Sequence, residues 1–172
     1  MEIIDTILNE YRSQLKNDFQ AYRNHAVRIY SYCTAIDRNC HELEKYAIAS
    51  AFHDLGIWVN DTFDYIDPSI ALAENYLKME GKESLIAEVC LLINWHHKIK
   101  PYHGSFSDSV EVFRKSDLID LTSGFIQFGI TKRYIREQIR NVPVLGFRKL
   151  LLKVFLKNLR KMPLRHLPML KW

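Results

Sequence analysis

In the stretch AIASAFHDLGIW, residues 47–58, a run of small apolar side chains ends in His53 and Asp54, side by side. Neither group enters an apolar interior cheaply unless a partner pairs with it. The conflict recurs elsewhere in the chain. His25 flanks the apolar stripe of Tyr22, Ala26, Ile29 and Cys33. Leu85, Val89 and Leu92 lead by helical steps to His96, while Ile86, Val89, Cys90 and Ile93 lead to His97. Asp117 stands in the middle of the stripe Val110, Phe113, Leu121. A lone core histidine is ordinarily satisfied by a main-chain carbonyl. Imidazoles and carboxylates aimed inward from several helices at once are best reconciled around a divalent cation, which offsets the burial of each. The donors are nitrogen and oxygen with no thiolate. Such a set suits manganese, iron, cobalt, nickel or zinc, with positions left over for water.

The elements that must carry these residues are helices, because the hydrophobic period is helical nearly everywhere. Ile4, Ile7, Leu8, Tyr11 and Leu15 predict one helix, Tyr22 to Ile36 a second, and Leu43, Ala47, Ser50 and Ala51 a third. Pro68 fits the first turn of a fourth that stops at Gly81. ESLIAEVCLLINWHHK predicts a fifth, ending before Pro101, and SVEVFRKSDLIDL a sixth with Asp108 as its N-cap. Beyond Gly124 and Gly129, basic helices are expected over about 131–140 and 144–161. The two prolines of MPLRHLPMLKW predict an extended end, and residues 163–172, closing on Trp172, are expected to lie against the body. No alternating strand pattern is present. The fold expected is all-α: a helical bundle over residues 1–130 and a basic helical extension, 131–172, packed on the same domain.

A chain of 172 residues is long enough for one real core. The N-terminal MEIIDTILNEYRSQLK is acidic and amphipathic, unlike a signal peptide. Cys33, Cys40 and Cys90 are odd in number and lack metal-type spacing, so a reduced, cytoplasmic setting is expected. Charge is unevenly spread. Residues 132–172 hold twelve bases and one acid (+11) against twelve bases and nineteen acids (−7) in the remainder, giving the chain's +4.

The order His25, then His53–Asp54, then Asp117, with FHDLG after a small-residue helix and KSDLIDL later, resembles the HD (His-Asp) superfamily of metal-dependent phosphohydrolases over about residues 20–125. The resemblance implies that His25, His53, Asp54 and Asp117 are the protein ligands of one divalent metal. Asp54 would also orient or deprotonate water. Binuclear relatives draw further histidines from the later helix, so His96 and His97 are candidates for a second metal or for substrate. Asp67 is a candidate too, where those relatives carry a His-Pro dipeptide and this chain has Asp67–Pro68. Lys98, His103, Arg28 and Arg114 are candidates to meet a substrate phosphate. The acidic pair of the guanosine-tetraphosphate hydrolases is missing, since Leu55, Gly56, Ile57 and Trp58 follow His53–Asp54. Trp58 and Tyr65 are read first as core aromatics and second as a platform for a base.

The expected activity is hydrolysis of a phosphate ester of a nucleotide or small metabolite by metal-activated water. One alternative is di-iron oxygenase chemistry, which needs a further histidine that residues 55–95 do not supply. The other is a non-catalytic binding protein working through the basic C-terminal region. There Lys149, Lys153 and Lys157 form an i, i+4 line that suits an anionic membrane surface. Packing of that helix on its own domain is the favoured reading. No nucleic-acid motif is present, so nucleic acid is not an expected partner, and self-association is left open.

Overall fold

A computed structural model describes residues 1–37, 42–60 and 64–159. The expected extended tail at 163–172 lies outside the described residues. Those described form helices and their connections with no strand among them. The helices are α1 (Glu2–Glu10), α2 (Arg12–Leu15), α3 (Phe19–Ile36), α4 (Glu44–Phe52), α5 (Gly56–Val59), α6 (Ile66–Met79), α7 (Ile86–Trp95), α8 (Ser107–Leu121), α9 (Lys132–Asn141) and α10 (Phe147–Leu159). The all-α class follows directly. Among these residues no helix is long and apolar enough to cross a membrane.

Helix α4 is the inner column. Every residue from Tyr46 to Phe52 is buried, and α1, α3, α6 and α7 pack around it. Ala47, Ala49, Ser50 and Ala51 make that possible, because small side chains let neighbouring helices approach from all sides. The long α3 packs on α4 and on α8, and α7 closes the ring between α4 and α8. Later in the chain, Ile135 of α9 packs with Tyr32, Ile119 and Ile130, while Phe147 of α10 enters the main core.

Several boundaries differ from the periodicity. The first helix is interrupted at Tyr11 and again at Lys16, whose φ is +48°. Pro68 lies in the first turn of α6 as expected, although the helix opens two residues earlier, at Ile66; the first ladder bond there is Ser69 N–H to Tyr65 O, 2.8 Å. The opening N–H groups of a helix have no intrahelical acceptor, so a proline at its third residue breaks nothing. Asp108 is not the N-cap of α8. The helix begins at Ser107, and the cap position is Phe106 in the left-handed region with φ +60°. Val110 N–H already reaches Phe106 O at 3.0 Å, so Asp108 falls in the first turn, where its charge still suits the helix dipole. Helix α7 starts with a 3-10 turn at Glu83–Leu85 and stops at Trp95, leaving His96 and His97 in the turn beyond it.

Candidate metal centre

Each inward-facing residue is delivered by a helix or by the turn at its end. His25 comes from the middle of α3, His53 and Asp54 from the turn between α4 and α5, His96 and His97 from the turn after α7, and Asp117 from α8. Relative exposures are 0% for His25 and His53, 1% for Asp54 and Asp117, and 2% for His96. The turn carrying Asp54 is braced from α3: the Tyr22 hydroxyl donates to Ala51 O (2.9 Å) and accepts from Asp54 N–H (3.3 Å). Gly56 allows the next segment to come close. A Cβ there would stand 2.5 Å from Tyr65 O, and its N–H donates to Ser69 Oγ at 3.0 Å.

Hydrogen bonds on the outward ring nitrogens set the tautomers. His25 donates from Nδ1 to Asp120 Oδ2 (2.7 Å), His53 to Ser50 O (2.9 Å) and His96 to Ile93 O (2.5 Å). Each Nε2 then offers its lone pair inward. The two facing nitrogens of His25 and His53 lie 3.1 Å apart. Lone pairs that close need a positive charge between them: a proton, or a metal ion.

The donor atoms form two groups. Those of His25, His53 and Asp54 lie within 4.8 Å of one another, as do those of Asp54, His96 and His97. Asp54 belongs to both: its Oδ2 is 3.4 Å from His53 Nε2 and 3.9 Å from His25 Nε2, while its Oδ1 is 3.4 Å from His96 Nε2 and 3.7 Å from His97 Nε2. Asp117 spans the groups as well, with Oδ1 3.5 Å from His25 Nε2 and Oδ2 3.5 Å from His97 Nδ1. Both Asp54 oxygens, His96 Nε2 and Asp117 Oδ1 are buried with no hydrogen-bond partner. Orphaned donors of this kind, aimed at one another, are what a hard or borderline divalent cation requires. The residues present fit a metal ion.

Electrostatics point the same way. Burial alone would raise Asp54 and Asp117, yet the imidazoles around them hold both below the usual carboxylate range. Burial lowers His97, but Asp117 and Asp54 outweigh it and hold the imidazole up at about 9. His53 is likewise raised, Asp54 overcoming its burial. His96 is pushed down to about 4 by burial and by the charge of His97 beside it. Without metal, the two buried carboxylates collect protons on neighbouring rings. A divalent cation would replace those protons.

The structure also redistributes the other expected site residues. Arg28 is fully buried and unable to meet a substrate: it grips Asp120 through Nε (2.5 Å) and Nη2 (2.7 Å), and Nη1 donates to Val142 O (2.9 Å). Arg114 is clamped by Glu111 (2.7 Å twice) and donates to Lys98 O (3.2 Å), fastening the loop after His97. Asp67 is exposed on the first turn of α6, apart from the buried cluster. Lys98 is half-buried and His103 exposed, both on the loop that follows the paired histidines. Trp58 is half-buried and packs against the core, 4.8 Å from the Tyr22 ring and donating to Asp18 Oδ2 (3.1 Å). In the turn after α7 the rings of His96 and His97 lie with centroids 3.7 Å apart, tilted by 46° to each other, and the Nε2 of each faces Asp54 Oδ1.

Three participants carry weight that their sequence context did not reveal. Asp120 holds His25 and Arg28 together, and its signal was the i, i+3 spacing of Asp117 and Asp120 facing that of His25 and Arg28. Tyr65 presents its hydroxyl to His97 Nε2 in a short hydrogen bond. Phe147 stacks on the His25 ring, centroids 4.1 Å apart. Comparisons of the chain with family models, with curated proteins and with solved structures gave no match.

Proposed function

We propose that the protein is an HD-type, metal-dependent hydrolase acting on a phosphate ester, either a nucleotide or a small phosphorylated metabolite. One observation carries this reading: four imidazoles and two carboxylates from four parts of the bundle converge in a buried cluster whose central carboxylate, Asp54, has neither oxygen hydrogen-bonded. The order of those residues along the chain is that of the superfamily it resembles. His25, His53, Asp54 and Asp117 would hold the first metal ion, and His96 and His97 can hold a second with Asp54 shared. A bound divalent ion supplies Lewis acidity, acidifying water and drawing charge from a phosphoryl oxygen.

The chain's own groups supply the remainder. Asp120 keeps His25 in the tautomer that faces inward. Asp54 orients the attacking water or accepts its proton. The side chain of His97 is 8% exposed while those of His25, His53 and Asp54 are at or near zero, so substrate is taken to arrive from the side of His97 and Tyr65. In this reading the Tyr65 hydroxyl, hydrogen-bonded to His97, donates a proton to the leaving oxygen. Lys98 and His103 stay as candidates to meet the phosphate, and Arg28 and Arg114 do not.

The test is phosphate release from a panel of nucleotides and sugar phosphates by protein reloaded in turn with manganese, iron, cobalt, nickel and zinc. Turnover that needs metal and disappears in Asp54→Asn supports the reading; no release with any metal overturns it. The sharing of Asp54 between two donor groups keeps the di-iron oxygenase as a second reading. Iron-dependent oxygen uptake without phosphate release would select it.

A further inference from the structure

Helix α8 ends in a turn that directs a short apolar loop into solvent. Ser123 and Gly124 both adopt positive φ, +56° and +74°, and their N–H groups return to Asp120 O (3.1 Å) and Ile119 O (2.8 Å). This pairing closes the helix end firmly. A Cβ on Gly124 would stand 2.8 Å from two Ile135 carbons, so glycine lets the loop lie on α9. Phe125 N–H donates to Thr122 O (3.0 Å), Ile126 N–H to Thr122 Oγ1 (3.3 Å) and Ile130 N–H to Gln127 O (2.9 Å). The loop is therefore hydrogen-bonded in a shape that leaves Phe125 89%, Phe128 39% and Ile126 36% exposed. Apolar side chains clustered outward on a fixed loop mark a contact surface.

The neighbourhood of this tip is basic. Lys132, Arg133, Arg136 and Arg140 are all exposed on α9. At about 100° per residue they fall within an arc of about 100°, while Ile135 packs inward on Tyr32 and Ile119. Phe125 shares a surface concavity of about 330 Å³ with Lys132 and Arg136. The Lys115 ammonium lies 5.9 Å from the Phe128 ring centroid. Between residues 122 and 159 the sequence has eight Lys or Arg and a single acid, Glu137.

We propose that this face docks on an anionic lipid bilayer, with Phe125, Ile126 and Phe128 entering the headgroup boundary and the four α9 cations meeting lipid phosphates. An apolar tip beside a basic helix face matches the two contributions that hold peripheral proteins on such membranes. The tip's three side chains carry no hydrogen-bonding group, which suits acyl chains better than the edges of nucleic-acid bases. This surface is built from other residues than the lysine line of α10. It stands apart from the proposed hydrolase chemistry.

The test is co-sedimentation of the full chain with vesicles of phosphatidylcholine alone and of phosphatidylcholine mixed with phosphatidylserine. Binding is expected to the anionic vesicles only and to weaken with salt. Lys132→Glu and Arg136→Glu should each lower partitioning at least about fivefold, and Phe125→Ser/Phe128→Ser at least about tenfold. These positions are exposed, and unchanged thermal melts would show that the variants fold. No vesicle binding by the parent chain overturns the proposal. So does binding that the Phe pair does not affect, or a concentration-dependent dimer abolished by Phe125→Ser, which assigns the face to a second copy. Binding to nucleic acid with none to vesicles also overturns it.

Discussion

Asp120→Asn separates the support of the cluster from the cluster itself. Asp120 is 1% exposed and accepts from Arg28 Nε and Nη2 and from His25 Nδ1 at 2.5–2.7 Å. The amide is nearly isosteric but carries no charge and only one acceptor oxygen, so the buried guanidinium loses its counter-ion. Removing one partner of a buried ion pair costs about 3–5 kcal/mol. Asparagine retains part of the hydrogen bonding, which favours the lower end, roughly 3 kcal/mol. For a chain of this size that is a fall in Tm of about 6–12 °C. Metal affinity should fall about 10- to 100-fold, because the His25 ring loses the group that fixes its tautomer. Arg28→Met/Asp120→Asn should recover part of the stability by removing the stranded charge, but none of the metal affinity. The contact also has a pH signature. Burial raises the Asp120 carboxyl, yet Arg28 and His25 outweigh it and hold it well below the ordinary range. A depressed carboxylate stabilises fully above its unfolded pKa, about 3.9, and progressively less as pH falls below it. The variant should therefore show a shallower acid limb. Urea unfolding against pH, with calorimetric metal titration, measures both effects. A variant within about 0.5 kcal/mol of the parent that binds metal equally well would refute this account of Asp120.

His96→Ala/His97→Ala should stay folded and retain one equivalent of metal while losing turnover; unchanged kinetics on an identified substrate would make both rings structural. Metal affinity should rise with pH between about 6 and 8, close to tenfold per unit for each proton displaced, because the His97 pKa of about 9 in the metal-free chain means that binding must expel its proton. A flat profile in parallel calorimetry would remove His97 from the ligands. Gly56→Ala forces a Cβ to 2.5 Å from the Tyr65 carbonyl and should destabilise by at least about 1–3 kcal/mol. It should also disturb Tyr65 and His97, and a variant with parental Tm and kinetics would show that the approach of these segments is not needed.

Helical periodicity made the all-α class legible, because apolar residues three and four apart leave little doubt about which face turns inward. It also exposed His25, His53, Asp54 and Asp117 as polar residues on apolar faces. What the sequence concealed was long-range. Arg28 looked like a free cation beside His25 until α8 brought Asp120 against it and residues 142–143 supplied carbonyl acceptors from more than a hundred positions later. Asp120 was hidden because the stripe Val110, Phe113, Asp117, Leu121 follows one line down α8, and Asp120 sits on the adjacent line of the same face. His96 and His97 were both legible as site candidates, because each ends an apolar line of α7; what the sequence hid was that their rings lie 3.7 Å apart beside Asp54. The start of α6 lies two residues before Pro68, which keeps its first-turn place, and the cap of α8 lies two residues before Asp108, both within the usual latitude of helix ends.

The most direct measurement is the metal content of the parent chain and of Asp54→Asn, each purified without added metal, dialysed against a mixture of divalent transition metals and counted by elemental mass spectrometry. Asp54 is the residue shared by both donor groups, and neither of its oxygens has a protein hydrogen bond to lose. The parent should hold at least one equivalent of manganese, iron, cobalt, nickel or zinc, and the folded variant almost none. A parent chain that binds no metal, or a variant that binds as much as the parent, would contradict the account.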